Sequence, residues 1–379
     1  MKVYEKLKNL ENNMKRKRCY SCHNLLLVRF NEDSCFCPEC GKLNEIKRTQ
    51  TADLTGKVAL LTGGRFNIGF QTGLKLLRAG ATVYVTSRFP LDTISRYSKE
   101  SDFEEWKDRL KVLQVDFRDL KGVLQMIQWL NNNLTDGLDI LINNAAQTIR
   151  RPFEYYRGLV DIENEAYKKL PGEIKDLVIF SKSGKSFTEI QKSLDYTAND
   201  LGREEDFPLG QVDYNGWQLD LRPRNSWNLE AMDISPIEFL EVQTVNSTVP
   251  FMLCSYLKDL FIKSKGEKKY IINVAASAEG SFGYPRRNSR HPHLNMAKAA
   301  LNMLTHTIWR SYKKDNIFVN SVDTGWVNYE GTYEAQKNFY AKSKTPLDAI
   351  DGAARILDPI FTGSTESGKL YKDYHVDEW

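Results

Sequence analysis

Short apolar runs rich in β-branched residues alternate with helical patterns along most of this chain. Six of these runs occupy positions 58–61, 81–85, 112–115, 138–142, 270–274 and 318–322. A strand that is apolar throughout has to be covered on both faces, and strands that alternate with helices pair in parallel. The pattern therefore predicts an α/β fold with a doubly wound parallel sheet. Sheets of this kind bind ligands beyond the carboxyl ends of their strands.

The composition is typical of an intracellular globular protein. Hydrophobic residues make up 41% of the 379-residue chain and charged residues 27%, which suits one large domain with a small appendage. No apolar run approaches the roughly 18 residues of a membrane-spanning helix, and the first residues are too charged for a secretory signal. We therefore expect a cytoplasmic protein that does not bind membranes. The basic run at 15–18 leaves a nuclear location open.

Composition divides the chain into three parts. Residues 1–50 are basic and cysteine-rich, residues 51–379 carry the alternation of strands and helices, and residues 147–236 interrupt it. A structureless loop of that length is improbable in a compact domain, so we expect a partly ordered lid beside the strand ends. The segment 222–227 is where we expect substrate specificity to arise. The insertion's aromatic residues are expected to form mainly its own small core: Tyr155, Tyr156, Phe180, Phe187, Trp217 and Trp227.

Four cysteines of the head have the spacing of a structural zinc site. Cys19 and Cys22 form one pair, Cys37 and Cys40 form another, and fourteen residues separate the pairs. Two such pairs supply the four thiolates that close a tetrahedral zinc site. Reduced thiols without a metal, or a redox-active pair, are the alternatives. Cys35 is not expected to be a ligand.

The head also resembles a known zinc finger. The sequence from Cys19 to Leu27, the second cysteine pair and the nearby Asn44 are similar to the finger of the plant lesion-simulating-disease proteins, over some twenty-five residues. That family uses its fingers mainly for protein contacts, so the resemblance implies a protein partner or a stabilising module. The net charge of +4 does not favour a nucleic-acid partner, although the run 15–18 leaves such contact open.

A glycine-rich turn follows the first strand and opens a helix. The turn reads Thr62-Gly63-Gly64-Arg65-Phe66-Asn67-Ile68-Gly69. Glycines let the backbone turn tightly and approach a pyrophosphate, whose charge then lies at the start of the helix. Together with Asp116, the segment Asn143-Asn144-Ala145-Ala146 and Lys298, this turn resembles the short-chain dehydrogenase/reductase superfamily across residues 54–379, apart from the insertion. Asn67 replaces the middle glycine, and asparagine enters positive-φ conformations more readily than most residues.

The resemblance implies a Rossmann-like fold and a nicotinamide cofactor. Arg88 follows the second strand where an acidic residue would bind a ribose 2′-hydroxyl, and it could pair with a 2′-phosphate, so NADP(H) is favoured over NAD(H). Arg65 would add a second cation; a solvated side chain is the alternative for both arginines. By resemblance, Asp116 would contact the adenine. The expected cofactor-binding residues are Thr62, Gly63, Arg65, Asn67, Ile68, Gly69, Arg88, Asp116, Asn144, Ala145, Lys298, Gly325 and Val327.

The catalytic residues that the resemblance implies are only partly present. Lys298 would bind the nicotinamide ribose and Asn246 would order a relay water, but Leu294 stands where the family has its tyrosine acid. Ala276 takes the position of the carbonyl-polarising serine, and Ser277, one residue later, could still serve. The missing proton donor would have to come from the lengthened loop 281–293, where His293 is the leading candidate because histidine titrates near neutral pH. His291 and Tyr284 are the other candidates.

Two functions follow from this pattern. The first is NADP(H)-dependent oxidoreduction of a carbonyl or alcohol, with a small-molecule substrate that Arg286, Arg287 and Arg290 suggest to be anionic. The second is an inactive NADP(H)-binding sensor or scaffold that recruits a partner through its finger. The resemblance also makes a homodimer or homotetramer plausible.

Overall fold

The computed structural model describes residues 18–32, 34–179, 187–194, 203–281 and 289–379. These residues form a nine-stranded sheet in the order β5-β3-β2-β1-β4-β6-β7-β8-β9, in which only β8 and β9 are antiparallel. The predicted α/β fold with a doubly wound parallel sheet is confirmed. The strands are β1 (Val58–Leu61), β2 (Thr82–Ser87), β3 (Leu110–Gln114), β4 (Ile140–Asn143), β5 (Val178–Ile179), β6 (Lys269–Ala275), β7 (Ile317–Asp323), β8 (Leu370–Lys372) and β9 (His375–Asp377).

The six apolar runs of the sequence are strands β1 to β4, β6 and β7, each within two residues of its expected ends. The other three strands have only two or three residues, too few to show a hydrophobic pattern. One of them, β5, belongs to the insertion and adds an edge strand beside β3.

Helices cover both faces of the sheet. They are α1 (Pro38–Thr49), α2 (Asn67–Arg78), α3 (Pro90–Tyr97), α4 (Phe103–Trp106), α5 (Leu120–Asn133), α6 (Phe153–Lys169), α7 (Gly172–Lys175), α8 (Phe187–Leu194), α9 (Pro236–Gln243), α10 (Val249–Tyr256), α11 (Lys258–Lys263), α12 (Ser277–Gly280), α13 (Pro292–Lys313), α14 (Tyr333–Tyr340) and α15 (Ala349–Phe361). No helix among the described residues is long and apolar enough to cross a membrane.

Successive residues of a central strand face the two cores in turn. Leu61 packs in a core with residues of α2 and α15, such as Leu74 and Ile356, whereas Leu60 packs with residues of α5 and α10, such as Val123 and Leu253. Full burial of an aliphatic side chain of this size contributes about 1.5–3 kcal/mol. The two cores fix the sheet so that the ends of β1 and β4 form a crevice where the strand order changes direction.

The insertion folds against the ends of β2 and β3. Four aromatic residues of the insertion form a small core with Phe89 of the body: Tyr155, Tyr156, Phe187 and Phe207. The carboxylate of Glu163 in α6 accepts the N–H groups of Leu91 and Asp92 at 2.8 and 2.9 Å and so caps α3. Phe180 lies outside the described residues.

The cysteine head packs against α15 of the body. Lys47 pairs with Asp358 at 2.5 Å, and Arg48 pairs with Asp348 at 2.7 Å. The amide of Asn44 donates to Asp351 at 2.9 Å. These contacts fix α1 on the body at three points. Lys15, Arg16 and Lys17, which precede the head, lie outside the described residues.

Candidate active site

The glycine-rich turn between β1 and α2 forms a cradle that has no room for side chains. Gly63 has a φ of +70°, and a Cβ on Gly69 would lie 2.1 Å from the carbonyl oxygen of Gly63. Asn67 has a φ of +54°, the left-handed conformation expected for an asparagine that replaces glycine. No side chain caps the start of α2, whose first-turn N–H groups suit an anion. The cradle therefore fits a pyrophosphate.

The loop after β4 is tied to this cradle. The Asn144 amide donates to the carbonyl oxygens of Thr62 and Gly63 at 3.0 and 3.1 Å. In return, Thr62 Oγ1 accepts the N–H groups of Asn144 and Ala145, both at 2.9 Å. Because every bond joins the end of β1 to the end of β4, the crevice between these strands keeps a fixed width. Four predicted cofactor-binding residues are therefore brought together here.

Arg65 is not a free cation in the turn. Its guanidinium pairs with Asp92 at 2.8 Å, and Arg96 donates to the same carboxylate oxygen at 2.8 Å. Burial alone would raise the pKa of Asp92, but the two arginines outweigh burial and lower it. Arg65 is therefore held in an ion pair, although it shares the single negative charge of Asp92 with Arg96.

Arg88, in contrast, forms no ion pair within the described ranges. Its guanidinium lies 5.0 Å from the ring of Tyr156 and 5.6 Å from that of Phe187, both from the insertion. Burial alone would raise the pKa of Tyr156, yet the charges of Arg88, Arg118 and Arg151 lower it. The carboxyl end of β2 is therefore a positively charged site covered by insertion aromatics.

Asp116 is engaged by its own loop. Arg118 donates to both carboxylate oxygens, with the shortest distance 2.7 Å, and both side chains are less than 5% exposed. Burial would raise the pKa of Asp116, but Arg118 lowers it, and the carboxyl stays ionised. The structure places Asp116 near Arg88, as an adenine-binding role requires, with its carboxylate turned to Arg118.

The insertion also bridges the two ends of the crevice. The Asn215 amide donates to the carbonyl of Tyr329 at 3.0 Å, and a Cβ on Gly216 would lie 3.3 Å from the ring of Phe66. A cleft of about 670 Å³ opens between the glycine-rich turn, this bridge and the loop after β7, and Asn67 and Val327 line it. Asn215 and Gly216 of the insertion thus lie between the loop after β7 and the glycine-rich turn, and a role as a lid remains a prediction.

Lys298 lies on the other side of the crevice, surrounded by carboxylates. Its ammonium donates to the carbonyl of Val274 at the end of β6, at 2.8 Å. Burial lowers the pKa of Lys298, and the charges of Glu279, Asp323 and Glu330 oppose that effect. An ammonium among three acidic groups can hold a ribose hydroxyl and can tune the acidity of its neighbours.

Glu279 is the group that sequence reasoning missed. It lies on α12, directly after β6, and Gly280 lets α12 approach α13 so closely that a Cβ there would lie 3.1 Å from the carbonyl of Lys298. Burial and the charge of Asp323 raise the pKa of Glu279 to about 7, against the opposing effect of Lys298. A lone glutamate in a loop forms no recognisable motif, so only the packing identifies it. At neutral pH this carboxyl can both donate and accept a proton.

Glu330 approaches Lys298 from the loop after β7. Burial raises its pKa, whereas Arg151 and a hydrogen bond from the Thr148 side chain lower it. The acidic cluster therefore draws on three separate segments: α12, the end of β7 and the loop that follows it.

Asn246 lies in a π-helical turn, Thr244–Thr248, between α9 and α10. Its side chain bonds both backbone groups of Gln147: Oδ1 accepts the N–H at 2.7 Å and Nδ2 donates to the carbonyl at 2.8 Å. Such turns often mark functional sites. The asparagine thus fixes the chain just beyond the Asn144 loop, and its relay role remains a prediction.

Ser277 and His293 do not point at Lys298. The Ser277 hydroxyl donates to Asp377 at 3.4 Å, and its N–H donates to Asp323 at 2.8 Å. His293 Nε2 lies 3.2 Å from the carbonyl oxygen of Thr148, its side chain is fully buried, and burial lowers its pKa. At neutral pH the imidazole is therefore uncharged, which makes it a poor acid.

Leu294 and His291 are both buried. Leu294, at the position of the missing tyrosine, is 4% exposed and lies in the first turns of α13. His291 stacks on Trp227 at 4.4 Å, and its Nδ1 lies 2.9 Å from the carbonyl of Trp227. Trp227 thus anchors the insertion to the start of α13. Tyr284, Arg286 and Arg287 lie outside the described residues.

The arginines of segment 222–227, where we expected substrate specificity to arise, form ion pairs with other residues of the insertion. Arg222 pairs with Asp220 at 2.7 Å and Arg224 with Asp233 at 2.9 Å.

The four predicted metal ligands converge in the head. The Sγ atoms of Cys19, Cys22, Cys37 and Cys40 all lie within 4.8 Å of one another, and those of Cys22 and Cys37 are 3.9 Å apart. Sulfurs on a tetrahedron with Zn–S bonds of about 2.3 Å are about 3.8 Å apart. Cys35 does not belong to the group, as expected. The four thiols therefore have the spacing that a zinc ion requires.

Comparison with known protein families gives two matches. Residues 57–163 match the family described as short chain dehydrogenase, and residues 223–350 match enoyl-(acyl carrier protein) reductase. The unmatched residues between them fall inside the insertion.

Individual proteins give a consistent result. An uncharacterized protein of Acanthamoeba polyphaga mimivirus is 30% identical over 99% of this chain and 77% of its own length. (+)-Neomenthol dehydrogenase of Capsicum annuum is 29% identical over 29% of this chain and 38% of that enzyme. The structure of the Pseudomonas aeruginosa RhlG/NADP active-site complex aligns with a TM-score of 0.52 at 17% identity, over 84% of this chain and 94% of that chain. That likeness concerns the fold.

Proposed function

Because the chain belongs to the short-chain dehydrogenase/reductase superfamily of oxidoreductases, we propose that it catalyses the NADP(H)-dependent interconversion of a carbonyl compound and an alcohol. The observation that carries this proposal is the position of the buried Lys298, which donates to the end of β6 and interacts electrostatically with the half-buried Glu279, beside a turn that fits a pyrophosphate.

NADP(H) is the proposed cofactor because Arg88 forms no ion pair within the described ranges, whereas Arg65 and Arg118 are paired with carboxylates. A 2′-phosphate would complete the charge balance at the end of β2. The relative of known structure with NADP in its active site shares this fold. Binding there would require Tyr156 and Phe187 to move or to stack on the bound nucleotide.

Glu279 is the proposed proton donor in place of the missing tyrosine. Bound NADPH supplies a hydride to the carbonyl carbon. The proton that the carbonyl oxygen then needs comes from the Glu279 carboxyl, which is left as a carboxylate beside the Lys298 ammonium. The charge of Lys298 stabilises this carboxylate in the product state, and solvent water restores the proton. Positioned proton transfer of this kind contributes typically about 10²- to 10⁴-fold to the rate.

An inactive cofactor-binding sensor is the second candidate. Leu294 favours it, because a buried leucine at the tyrosine position has no exchangeable proton. The two candidates differ in whether Glu279 supports turnover.

Structural zinc is the proposed occupant of the cysteine cluster, on the spacing of its four sulfurs. On the finger's outer side, Leu27 is 81% and Val28 65% exposed, which supports a role in binding a protein partner. Half-exposed apolar residues on α10 and α13, Phe251, Met296 and Met303, support assembly into a homodimer. A cytoplasmic location remains a prediction.

The test of the proposed function is oxidation of NADPH by the metal-loaded full chain. A panel of aldehydes and ketones would be tried near neutral pH with the parent, Glu279→Gln and Glu163→Gln. Glu163 is the matched control, because burial also raises its pKa to about 7, but it lies in α6 of the insertion and caps α3 of the body. We expect activity in the parent and in Glu163→Gln, and a loss of about 10²-fold or more in Glu279→Gln.

A parent that binds NADPH but reduces none of the compounds would favour the sensor. In that case Leu294→Tyr becomes informative, since new activity in this variant would identify a disabled enzyme. Equal activity of the parent and Glu279→Gln would remove Glu279 from the mechanism.

A further inference from the structure

We propose that the cysteine head positions the nicotinamide end of the cofactor site through Tyr20, so that metal occupancy of the head controls affinity for the nicotinamide half of the cofactor. The inference rests on the proposed function, because it assumes a nicotinamide cofactor in the crevice. It assigns the head a task inside its own chain, in addition to any contact with a partner.

Tyr20 touches the loop that follows β7. Its phenol oxygen accepts the N–H of Trp326 at 2.7 Å. At the neighbouring Gly325, with a φ of +75°, a Cβ would lie 3.0 Å from that oxygen and 2.4 Å from a methyl carbon of Leu347. On the sheet side, Gly325 N–H donates to Asp323 at 2.8 Å. The loop is thus held by the sheet at one end and by the head at the other.

The cysteine cluster fixes Tyr20. Tyr20 directly follows Cys19, and its N–H donates to the carbonyl of Cys35 at 2.9 Å. The Cys19 sulfur accepts the N–H of Cys37 at 3.3 Å and is buried. A metal that joins the four thiolates therefore locks the backbone on both sides of Tyr20. Without the metal, these hydrogen bonds and the packing of Tyr20 against Phe36 would remain to hold the phenol against Trp326.

Apolar packing extends the connection to the glycine-rich turn. Val327 packs in one cluster with Cys19, Leu347 and Ile68, the last from the first turn of α2. A Cβ on Gly352 of α15 would lie 3.0 Å from Ile68 and 3.3 Å from Val327, so α15 closes this cluster from behind. The head, the loop after β7 and α2 therefore share one packed unit.

The contacts between Tyr20 and the loop after β7 should affect only the nicotinamide half of the cofactor site. Asp323, which anchors the loop, is one of the charges around Lys298, on the substrate side of the crevice. Arg88 follows β2, two strands to the other side of β4. Loosening the loop should therefore weaken contacts to the nicotinamide and leave those to the adenine half unchanged.

The experiment compares two ligands on the zinc-loaded full chain: NADPH, and 2′,5′-ADP, which lacks the nicotinamide half. Tyr20→Phe removes the acceptor for Trp326 N–H. The matched control is Tyr374→Phe, since the Tyr374 hydroxyl belongs to the same contact between head and body, where its hydrogen-bond partners are Asn44 at 3.4 Å and Arg355 at 3.3 Å. Affinities are measured by calorimetric titration. In parallel, a chelator removes the metal from the parent and zinc is then restored.

We expect Tyr20→Phe to weaken NADPH binding about 3- to 10-fold, the effect of losing one ordering hydrogen bond, with 2′,5′-ADP unchanged. Tyr374→Phe should change neither ligand. Metal removal should lower NADPH affinity by about tenfold or more and zinc should restore it. A general loss of folding would instead weaken both ligands together.

An unchanged ratio of the two affinities in Tyr20→Phe would overturn the inference even if the stripped protein unfolds. If the parent binds both 2′,5′-ADP and NADPH and Tyr20→Phe changes neither affinity, the inference fails but the proposed function does not. Parent protein that binds neither ligand would remove the proposed function, and the inference with it.

Discussion

Replacing Glu279 by glutamine should change how the stability of the protein depends on pH. The folded state raises the pKa of this carboxyl from 4.5 to about 7, so it holds the proton more tightly than the unfolded chain does. Below pH 4.5 the group is neutral in both states and costs nothing. As pH rises from 4.5 to 7, the unfolded chain releases the proton first, and stability falls.

The shift sets the size of the effect. A rise in the pKa of Glu279 from 4.5 to about 7 corresponds to a ceiling of about 3 kcal/mol, almost none of which is present at pH 4 and nearly all of which is present at pH 8. Glutamine cannot ionise and abolishes this component. Relative to the parent, Glu279→Gln should therefore gain up to about 3 kcal/mol between pH 4 and pH 8, on top of a pH-independent offset from the lost contact with Lys298.

Urea unfolding at several pH values measures this difference directly. The control is Glu105→Gln, at an exposed glutamate on α4, which should follow the parent at every pH. If the stability of Glu279→Gln relative to the parent stays constant from pH 4 to pH 8, Glu279 is ordinarily ionised and cannot be the proton donor.

Three further predictions follow from the site and the head. Arg88→Gln should weaken NADPH binding about 10- to 100-fold and leave NADH binding unchanged in parallel titrations, because only NADPH carries the 2′-phosphate; equal losses would refute the charge argument. Asn67→Ala should destabilise the protein by about 1–2 kcal/mol in thermal unfolding and Asn67→Gly should not, since the position has a positive φ; equal effects would contradict the conformational reason. Cys40→Ser should abolish the binding of one zinc ion per chain, measured by metal analysis, whereas Cys35→Ser should retain it.

The sheet could be predicted because its physical cause is local. Fully buried parallel strands need continuous apolar runs, and each run of at least four such residues became a strand. The cysteine cluster and the glycine-rich turn were predictable for a similar reason, since their chemistry requires particular residues at fixed spacings. Asn67 departed from the usual glycine, but its backbone angle followed from the conformations open to asparagine.

The proposed proton donor was not predictable in this way. Sequence reasoning favoured His293 because imidazole titrates near neutrality, but tertiary packing buries that ring against Thr148. Glu279 has an ordinary carboxyl in the sequence, and only burial and the charge of Asp323 raise its pKa to about 7, against the opposing effect of Lys298. Such a shift depends on neighbours distant in sequence, which no local pattern encodes.

The packing of the head against the body could not be predicted from the sequence either. No local pattern in the sequence indicates that Lys47 and Arg48 pair with Asp358 and Asp348, some 300 positions away. Only the folded chain brings Tyr20 to the loop after β7.

The most direct test of the account is a titration of the metal-loaded, cofactor-free protein with NADPH and NADH, followed by nicotinamide fluorescence and tryptophan quenching. The account predicts saturable binding of NADPH with a preference of about tenfold or more over NADH. If neither nucleotide binds, the account is contradicted, because it assigns the glycine-rich turn, Arg88 and Lys298 to the binding of one NADPH molecule.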